Sequence, residues 1–564
     1  MPPSPRAHGP IPDLLSAEPA VRVDLAALRQ ALVFAFAMGG SREALDDAVS
    51  SASLPASGWD RVHYQRDLFL DELVARGLPV RIGGRAQPIC APYLLRAIAE
   101  PPRDPAELAF RRRVLGELAA SKALRADFER VYGELTRLRT LLCLDKQPAR
   151  WLQRLDILRA VHGVFAGLAG AFAGATSGLA RLREHGAAVC AGEAYRRLDA
   201  LLDHEEHLGT VDLRVRIGAD GELRTFQIVA VRENSDNPFH TSPLGRWIAR
   251  IRLLFRGYRM NGGELLERLF DDVFSGLEES VALLFQLLVD MEFYLAGLGF
   301  RDRAEAHGLE VCFPELVEER AAGMTFQGLF NPLLLTDRSA PVPCDLRVRV
   351  GGSVVMVTGP NSGGKTRLLQ ALALAQMLGE AGLFVPAAAA RMPRVAGLFV
   401  SLVEESRADQ PEGQLGMELM RIRRMFEHLD MGSLVLLDEL CSGTNPSEGE
   451  EIARLVISLL PELRAQVFVT THLLQFAARM AEERPIEGLE FLQVELDGKE
   501  RATYQFVAGV AKTSLAQKTA ARLGVTRDEL TALIAAKKRA TGADAERRAT
   551  AAASAEVETA GGEV

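Results

Sequence analysis

The chain has 564 residues, 48% of them apolar, and a formal net charge of −8 at pH 7. That length is a prior for about three domains with ample core to bury. The apolar share is that of a soluble globular chain, and the acidic balance excludes a global pull toward nucleic acid, so any DNA contact must come from local arginine clusters. Cysteines at 90, 143, 190, 312, 344 and 441 form no C-x-x-C pair. This argues against zinc and against a disulfide framework, and for a reducing, cytoplasmic compartment.

In chain order, "MPPSPRAHGPIPD" has no basic stretch followed by an apolar core, so no secretory signal is read and residues 1–20 are expected to be a floppy leader. Residues 21–145 read as a helical core domain. Breaks fall at Ser53–Gly58 and Pro101–Pro105, and "DPAELAFRRRVLGELAASKALRADFERVYGEL" has the amphipathic period of a bundle. Its Arg111-Arg112-Arg113 triplet is a candidate phosphate contact.

Residues 146–330 hold two long helical stretches, 148–201 and 244–298, around a β-hairpin at 211–232 whose strands alternate about Gly218-Ala219-Asp220-Gly221. Within the first stretch, residues 160–180 carry no formal charge and glycines at 163, 167, 170, 174 and 178. The length would span a bilayer, but His162, Thr176, Ser177 and the glycines dilute it, and a close-packed helix crossing accounts for the small residues without a membrane. After the hairpin, "GRWIARIRLLFRGYRM" spaces Arg246, Arg250, Arg252, Arg256 and Arg259 near helical period. These are the expected backbone contacts to DNA.

The most informative stretch begins at Val355–Val357, a short strand, and runs through a glycine-dense turn into an apolar-periodic helix from Leu368 to Leu378. Gly359-Pro360-Asn361-Ser362-Gly363-Gly364-Lys365-Thr366 fits G-x-x-x-x-G-K-[ST], in which backbone N–H groups and a helix N-terminus cradle phosphate. Lys365 should reach the β/γ-phosphates of ATP and the Thr366 hydroxyl should hold Mg²⁺. "SLVLLDELCSGTNPSEG" then places Asp438 at the end of a buried strand, Ser433–Leu437, as a metal-holding carboxylate, with Glu439 as general base or water-positioning group. A third strand, Gln466–Thr470, delivers His472 where it could sense the γ-phosphate.

"TGPNSGGKT", "LFVPA", "LVLLDELCSGTNPSEG" and "VFVTTH", in this order, resemble the ATPase domain of the MutS family of DNA repair proteins, closest to its second branch without mismatch-reading domains. The likeness runs from about Asn331 to Val525. It implies ATP hydrolysis with Mg²⁺, DNA binding, a homodimer, helical arms that act as lever and clamp with a hairpin tip, and a C-terminal helical pair that packs on a partner subunit. One departure is that Gly413-Gln414 stand where the family's Ser-Thr signature reaches a partner's γ-phosphate, although Glu418 and Leu419 match the end of that motif.

The expected architecture is multidomain. An N-terminal, mostly α-helical core and lever region (21–145 and 146–330) with a small β-hairpin tip leads into an α/β P-loop NTPase domain of ABC type at 331–513. A helical pair at 514–542 and a disordered tail at 543–564 complete it. Mismatch readers of this family wedge an aromatic through a Phe-x-Glu motif. Here that motif occurs once, at Phe313-Pro314-Glu315, and reads as a turn near a strand, so action on DNA structure rather than on mismatches is expected. The alternatives are a P-loop ATPase of transport or chromosome-structural type, or a nucleotide-binding scaffold. Intact Lys365, Asp438 and Glu439 speak against the scaffold, and neither long coiled coils nor an LSGGQ-type signature supports the former.

Overall fold

The computed structural model describes residues 10–40, 42–144, 150–207, 209–217, 223–233, 270–318, 322–336, 338–402, 414–441, 445–512 and 525–537. They fall in two compact units, Met1–Gly351 with Gln370–Ser401 and His428–Val435, and Gly352–Leu369 with Leu402–Glu427 and Leu436–Val564.

The first unit is built around one helix, Glu278–Ala306, whose sequence "SVALLFQLLVDMEFYLAGLGF" is apolar on every side and therefore buries its whole circumference. Among the described residues it is the one helix long and apolar enough to cross a membrane, and its apolar window lies wholly inside the protein. Helices Leu25–Met38, Ala91–Ala99, Pro105–Ala120 and Lys122–Cys143 pack against it. The amphipathic stretch read from the sequence is two of these helices. Asp104 caps the first through the Ala106 N–H, with proline in its first turn, and Ser121 ends it while capping the second through the Leu124 N–H.

Residues 10–20, expected as a floppy leader, are instead strapped to the core. Leu14 and Leu15 are 0% exposed, and the Leu14 N–H donates to Asp290 Oδ2 at 3.1 Å. The Gln286 amide brackets the strap, accepting the Arg22 N–H at 2.7 Å and donating to the Ala20 carbonyl at 2.9 Å. The proline-rich composition concealed this, because the segment has no repeating element of its own and its partners lie in the distant buried helix.

The apolar segment 160–180 is not one helix. Helix Arg150–Gly170 stops at Gly170, and the next, Leu179–Cys190, starts after a turn. The tight approaches lie at only one of the expected glycines, Gly178, and at Gly186 beyond the segment. A Cβ at Gly178 would stand 2.4 Å from the Phe110 ring and one at Gly186 2.5 Å from the Ala169 nitrogen, whereas Gly163 and Gly167 face only the tips of Glu134 and Arg130.

Arg111 and Arg112 of the basic triplet are also not free for phosphate. Arg111 is 1% exposed and donates to the carbonyls of Leu15 and Ala381, and Arg112 donates to those of Pro314 and Gly379. Their neighbours in the fold, not in the sequence, decide their role. The hairpin pairs Gly209–Ile217 with Leu223–Glu233 in antiparallel register. Its turn lies outside the described residues, as do Arg246, Arg250, Arg252, Arg256 and Arg259. A four-stranded sheet orders Glu315–Val317, Ala389–Pro393, Ala322–Leu329 and Cys344–Val350.

Glu292, 0% exposed on the central helix, accepts the Cys90 N–H at 2.7 Å and stands 3.7 Å from Arg139. Burial raises its pKa from 4.5 to about 7, against the pull of the Cys90 N–H and Arg139. A raised folded value means that this carboxyl's contribution to stability is full below pH 4.5 and is lost as pH rises through 7, at most on the order of 3 kcal/mol. Glu292→Gln is therefore expected to flatten the fall in urea-unfolding stability between pH 5 and 8. A variant that keeps the parent's full slope would contradict this.

The second sheet has strand order Leu398–Ser401, Leu434–Leu437, Gln466–Thr471, Val354–Thr358, Leu489–Leu496 and Ala502–Ala508. Val354–Thr358 pairs in parallel with Gln466–Thr471 and with Leu489–Leu496. The three strands expected around residues 355, 435 and 468 are present and buried along their length, as continuous apolar runs in a parallel sheet should be.

Candidate nucleotide site

Three of these strands, Val354–Thr358, Leu434–Leu437 and Gln466–Thr471, end beside one another, and their carboxyl ends carry the polar groups. After Thr358 the chain turns at Gly359, with φ 144°, and Gly364, with φ 86°. A Cβ at Gly359 or Gly363 would lie 2.7 or 2.8 Å from Val494 Cγ2, so only glycine lets the loop lie this close to the neighbouring strand. Asn361 and Ser362 stand exposed at the loop tip, while Pro360 is buried at its base. Helix Lys365–Ala381 follows, in place of the shorter helix read from periodicity.

The Lys365 ammonium is turned back into the loop. It donates to the Gly359 carbonyl at 3.0 Å and the Pro360 carbonyl at 3.3 Å, and lies 4.0 Å from Glu439 Oε1. Burial lowers its pKa, with Glu439 and Asp438 opposing. The Thr366 hydroxyl donates to Asp438 Oδ2 at 2.6 Å. Glu439 has its second oxygen, Oε2, 3.5 Å from His472 Nδ1. Thus Lys365, Thr366, Asp438, Glu439 and His472, 107 positions apart at the extremes, are linked side chain to side chain at the strand ends.

The donor set suits Mg²⁺. Thr366 and Asp438 present hard oxygens side by side, and the cation takes few protein ligands when phosphate and water supply the rest.

Sequence reasoning missed several residues here. Thr358 links the loop strand to its neighbours, donating to the Leu492 carbonyl at 3.2 Å and accepting the Ala511 N–H at 2.9 Å. Thr470 bonds both carboxylate residues, Asp438 and Glu439. Tyr504, 46% exposed, lies against the phosphate loop, its ring 3.2 Å from where a Gly364 Cβ would stand. An exposed ring there offers a face to a nucleobase, and a tyrosine amid alternating polar residues was its only sequence signal.

Gly413 of the altered signature lies outside the described residues, and Gln414 opens helix Gln414–His428. Of the expected C-terminal pair, residues 527–537 form a helix that leaves Leu530, Leu533 and Ile534 exposed, and the tail 543–564 lies outside the described residues.

The family model described as MutS domain V, a P-loop ATPase domain, matches residues 355–538. The chain is similar to Endonuclease MutS2 of Thermomicrobium roseum, 34% identical over 234 residues, which are 40% of this chain and 29% of that protein. It is 32% identical to Endonuclease MutS2 of Streptococcus thermophilus over 224 residues, 39% of this chain and 27% of the relative. The same-named protein of Thermus thermophilus is 35% identical over 178 residues, 31% and 24% of the two chains. The chain spans less than a third of the length of these relatives.

Proposed function

We propose that this chain, which belongs to the MutS family in its second branch, is a DNA-binding ATPase of the repair and recombination class. The observation that carries the reading is the 2.6 Å contact between Thr366 Oγ1 and Asp438 Oδ2, which brings the end of the phosphate loop to the carboxylate strand. In this reading residues Gly359 to Thr366 wrap the ATP phosphates, Lys365 leaves its carbonyls for the β/γ-oxygens, and Thr366 with Asp438 holds Mg²⁺. Bound there, the cation neutralises charge on the phosphates. Glu439 accepts the proton of the attacking water, and His472, 3.5 Å from it, holds that carboxylate toward the γ-phosphate. Tyr504 supplies a stacking face for the base.

DNA is engaged through its backbone by Arg246, Arg250, Arg252, Arg256 and Arg259, so binding is salt-sensitive and independent of sequence. A homodimer completes each site, and the work is done in a reducing cytoplasm, consistent with six cysteines that form no disulfide. Mismatches are not singled out. Phe313 of the one Phe-x-Glu is stacked on Phe384 at 4.3 Å, which leaves it no freedom to wedge into a base stack.

The test is ATP turnover of the chain with and without duplex, branched and single-stranded DNA, with light scattering in each nucleotide state. Turnover that DNA alters, with association that tightens in ATP, is expected, and the absence of both responses would refute the reading. In competition at fixed salt, a mismatched duplex should gain less than tenfold, about 1.4 kcal/mol, over its paired twin.

A further inference from the structure

Two residues of the turn that follows strand Leu434–Leu437 hold a backbone conformation rare for anything but glycine, Glu439 at φ 50° and Cys441 at φ 60°. Such residues carry a cost and persist where their surroundings hold them. Both are held, and by side chains from different elements. Thr470, 0% exposed on strand Gln466–Thr471, accepts the Glu439 N–H at 3.0 Å and donates its own hydroxyl proton to Asp438 Oδ1. Glu418, on helix Gln414–His428, accepts the Cys441 N–H.

A hydroxyl has one proton to give and lone pairs to receive with. With that proton on Asp438, Thr470 is left as an acceptor, which is what the Glu439 N–H needs. One side chain thus orients the carboxylate of Asp438 and the backbone of Glu439 together. The other oxygen of Asp438 is already taken by Thr366. Without the two anchors the turn can relax toward right-handed φ. The Glu439 carboxylate would then swing from its place between Lys365, 4.0 Å away, and His472, 3.5 Å away.

We infer that Thr470 and Glu418 are positioning residues for ATP hydrolysis, fixing the strained turn that aims Glu439 and orients Asp438. The inference rests on the ATPase reading above and deepens it. Neither residue need touch nucleotide, so each should act on the chemical step more than on binding.

The experiment compares full-length Thr470→Val, which keeps the shape and loses the hydroxyl, with Thr470→Ser, and Glu418→Ala with Glu418→Gln. It reads ATP turnover, and the equilibrium affinity for a non-hydrolysable ATP analogue with Mg²⁺. Thr470→Val and Glu418→Ala are expected to lower kcat about tenfold or more while analogue affinity stays within about threefold. Thr470→Ser and Glu418→Gln, which keep an acceptor in place, should recover most of the loss. Unchanged kcat in both Thr470→Val and Glu418→Ala would overturn the inference while leaving the ATPase reading intact. So would kcat and affinity falling together with no recovery by Thr470→Ser or Glu418→Gln. A parent chain that binds the analogue but turns over no ATP, with or without DNA, would overturn both. Should Thr470→Val fail to fold, Glu418→Ala alone decides, because Glu418 is itself only half-buried.

Discussion

Lys365→Ala is expected to abolish productive ATP binding, while Glu439→Gln binds ATP and scarcely hydrolyses it. The ammonium at 365 is 4% exposed and donates within the loop to the Gly359 and Pro360 carbonyls, 3.0 and 3.3 Å away, and to Asn361 Oδ1 at 3.5 Å. Those neutral carbonyls are poor substitutes for the negatively charged oxygens of a triphosphate, so the side chain should move onto the phosphates when they arrive. Alanine leaves that charge unmatched in a site already held by two carboxylates, Asp438 and Glu439. The Glu439→Gln variant keeps the shape of the site and removes one negative charge, which leaves phosphate binding intact or improves it. What it loses is the proton acceptor, a contribution typically of about 10²–10⁴ in rate. A fluorescent-nucleotide titration beside a turnover assay separates the two variants, and equal loss of binding in both would dismantle the roles assigned to them.

Arg22→Ala should be among the most damaging single changes outside the nucleotide site. Its guanidinium takes both oxygens of Asp290, which is 0% exposed, and also donates to Tyr93, whose hydroxyl in turn donates to Asp290 at 2.7 Å. Removing one partner of such a pair strands a buried charge, at a cost of roughly 3–5 kcal/mol. Burial already pushes the Asp290 pKa to about 6 against the opposing pull of Arg22. With Arg22 gone that value climbs further, the carboxyl takes a proton, and the loss should be smaller at pH 5 than at pH 8. The double variant Arg22→Met, Asp290→Leu should recover much of it, since apolar replacement of a buried pair is often neutral. Urea unfolding at the two pH values reads all three. An Arg22→Ala chain within about 1 kcal/mol of the parent at pH 8 would show that the pair is not what fastens the strap.

What the sequence made legible was whatever is encoded over a few adjacent residues. The phosphate loop, the strands ending at Thr358, Leu437 and Thr471, and the helix after Lys365 were readable because glycines and unbroken apolar runs each have a local cause. Thr470 was not, because in a run of β-branched residues a threonine looks like one more strand former until its neighbours Asp438 and Glu439 are placed. The arginine triplet misled for the matching reason. Exposure belongs to the packed helix, and Arg111 turned out to be among the largest buried side chains. In the glycine-rich segment close approach occurs at Gly178, the last glycine of the repeat, and at Gly186 beyond it, whereas Gly163 and Gly167 meet only side-chain tips.

The strap that binds residues 13–22 to the helix at 286–294 also fixes an order of events during synthesis. Leu14 and Asp290 are 276 positions apart. At about 5–20 residues per second the ribosome takes roughly 15–55 s to make the partner after the strap has emerged. For that interval Leu14 and Leu15 have no burial site and Arg22 lacks Asp290, the carboxylate that takes both of its contacts in the buried helix. The helical unit therefore cannot close in the order in which it is translated. Its earliest segment waits for one of its later helices, as expected of a chain whose decisive contacts are so far apart in sequence.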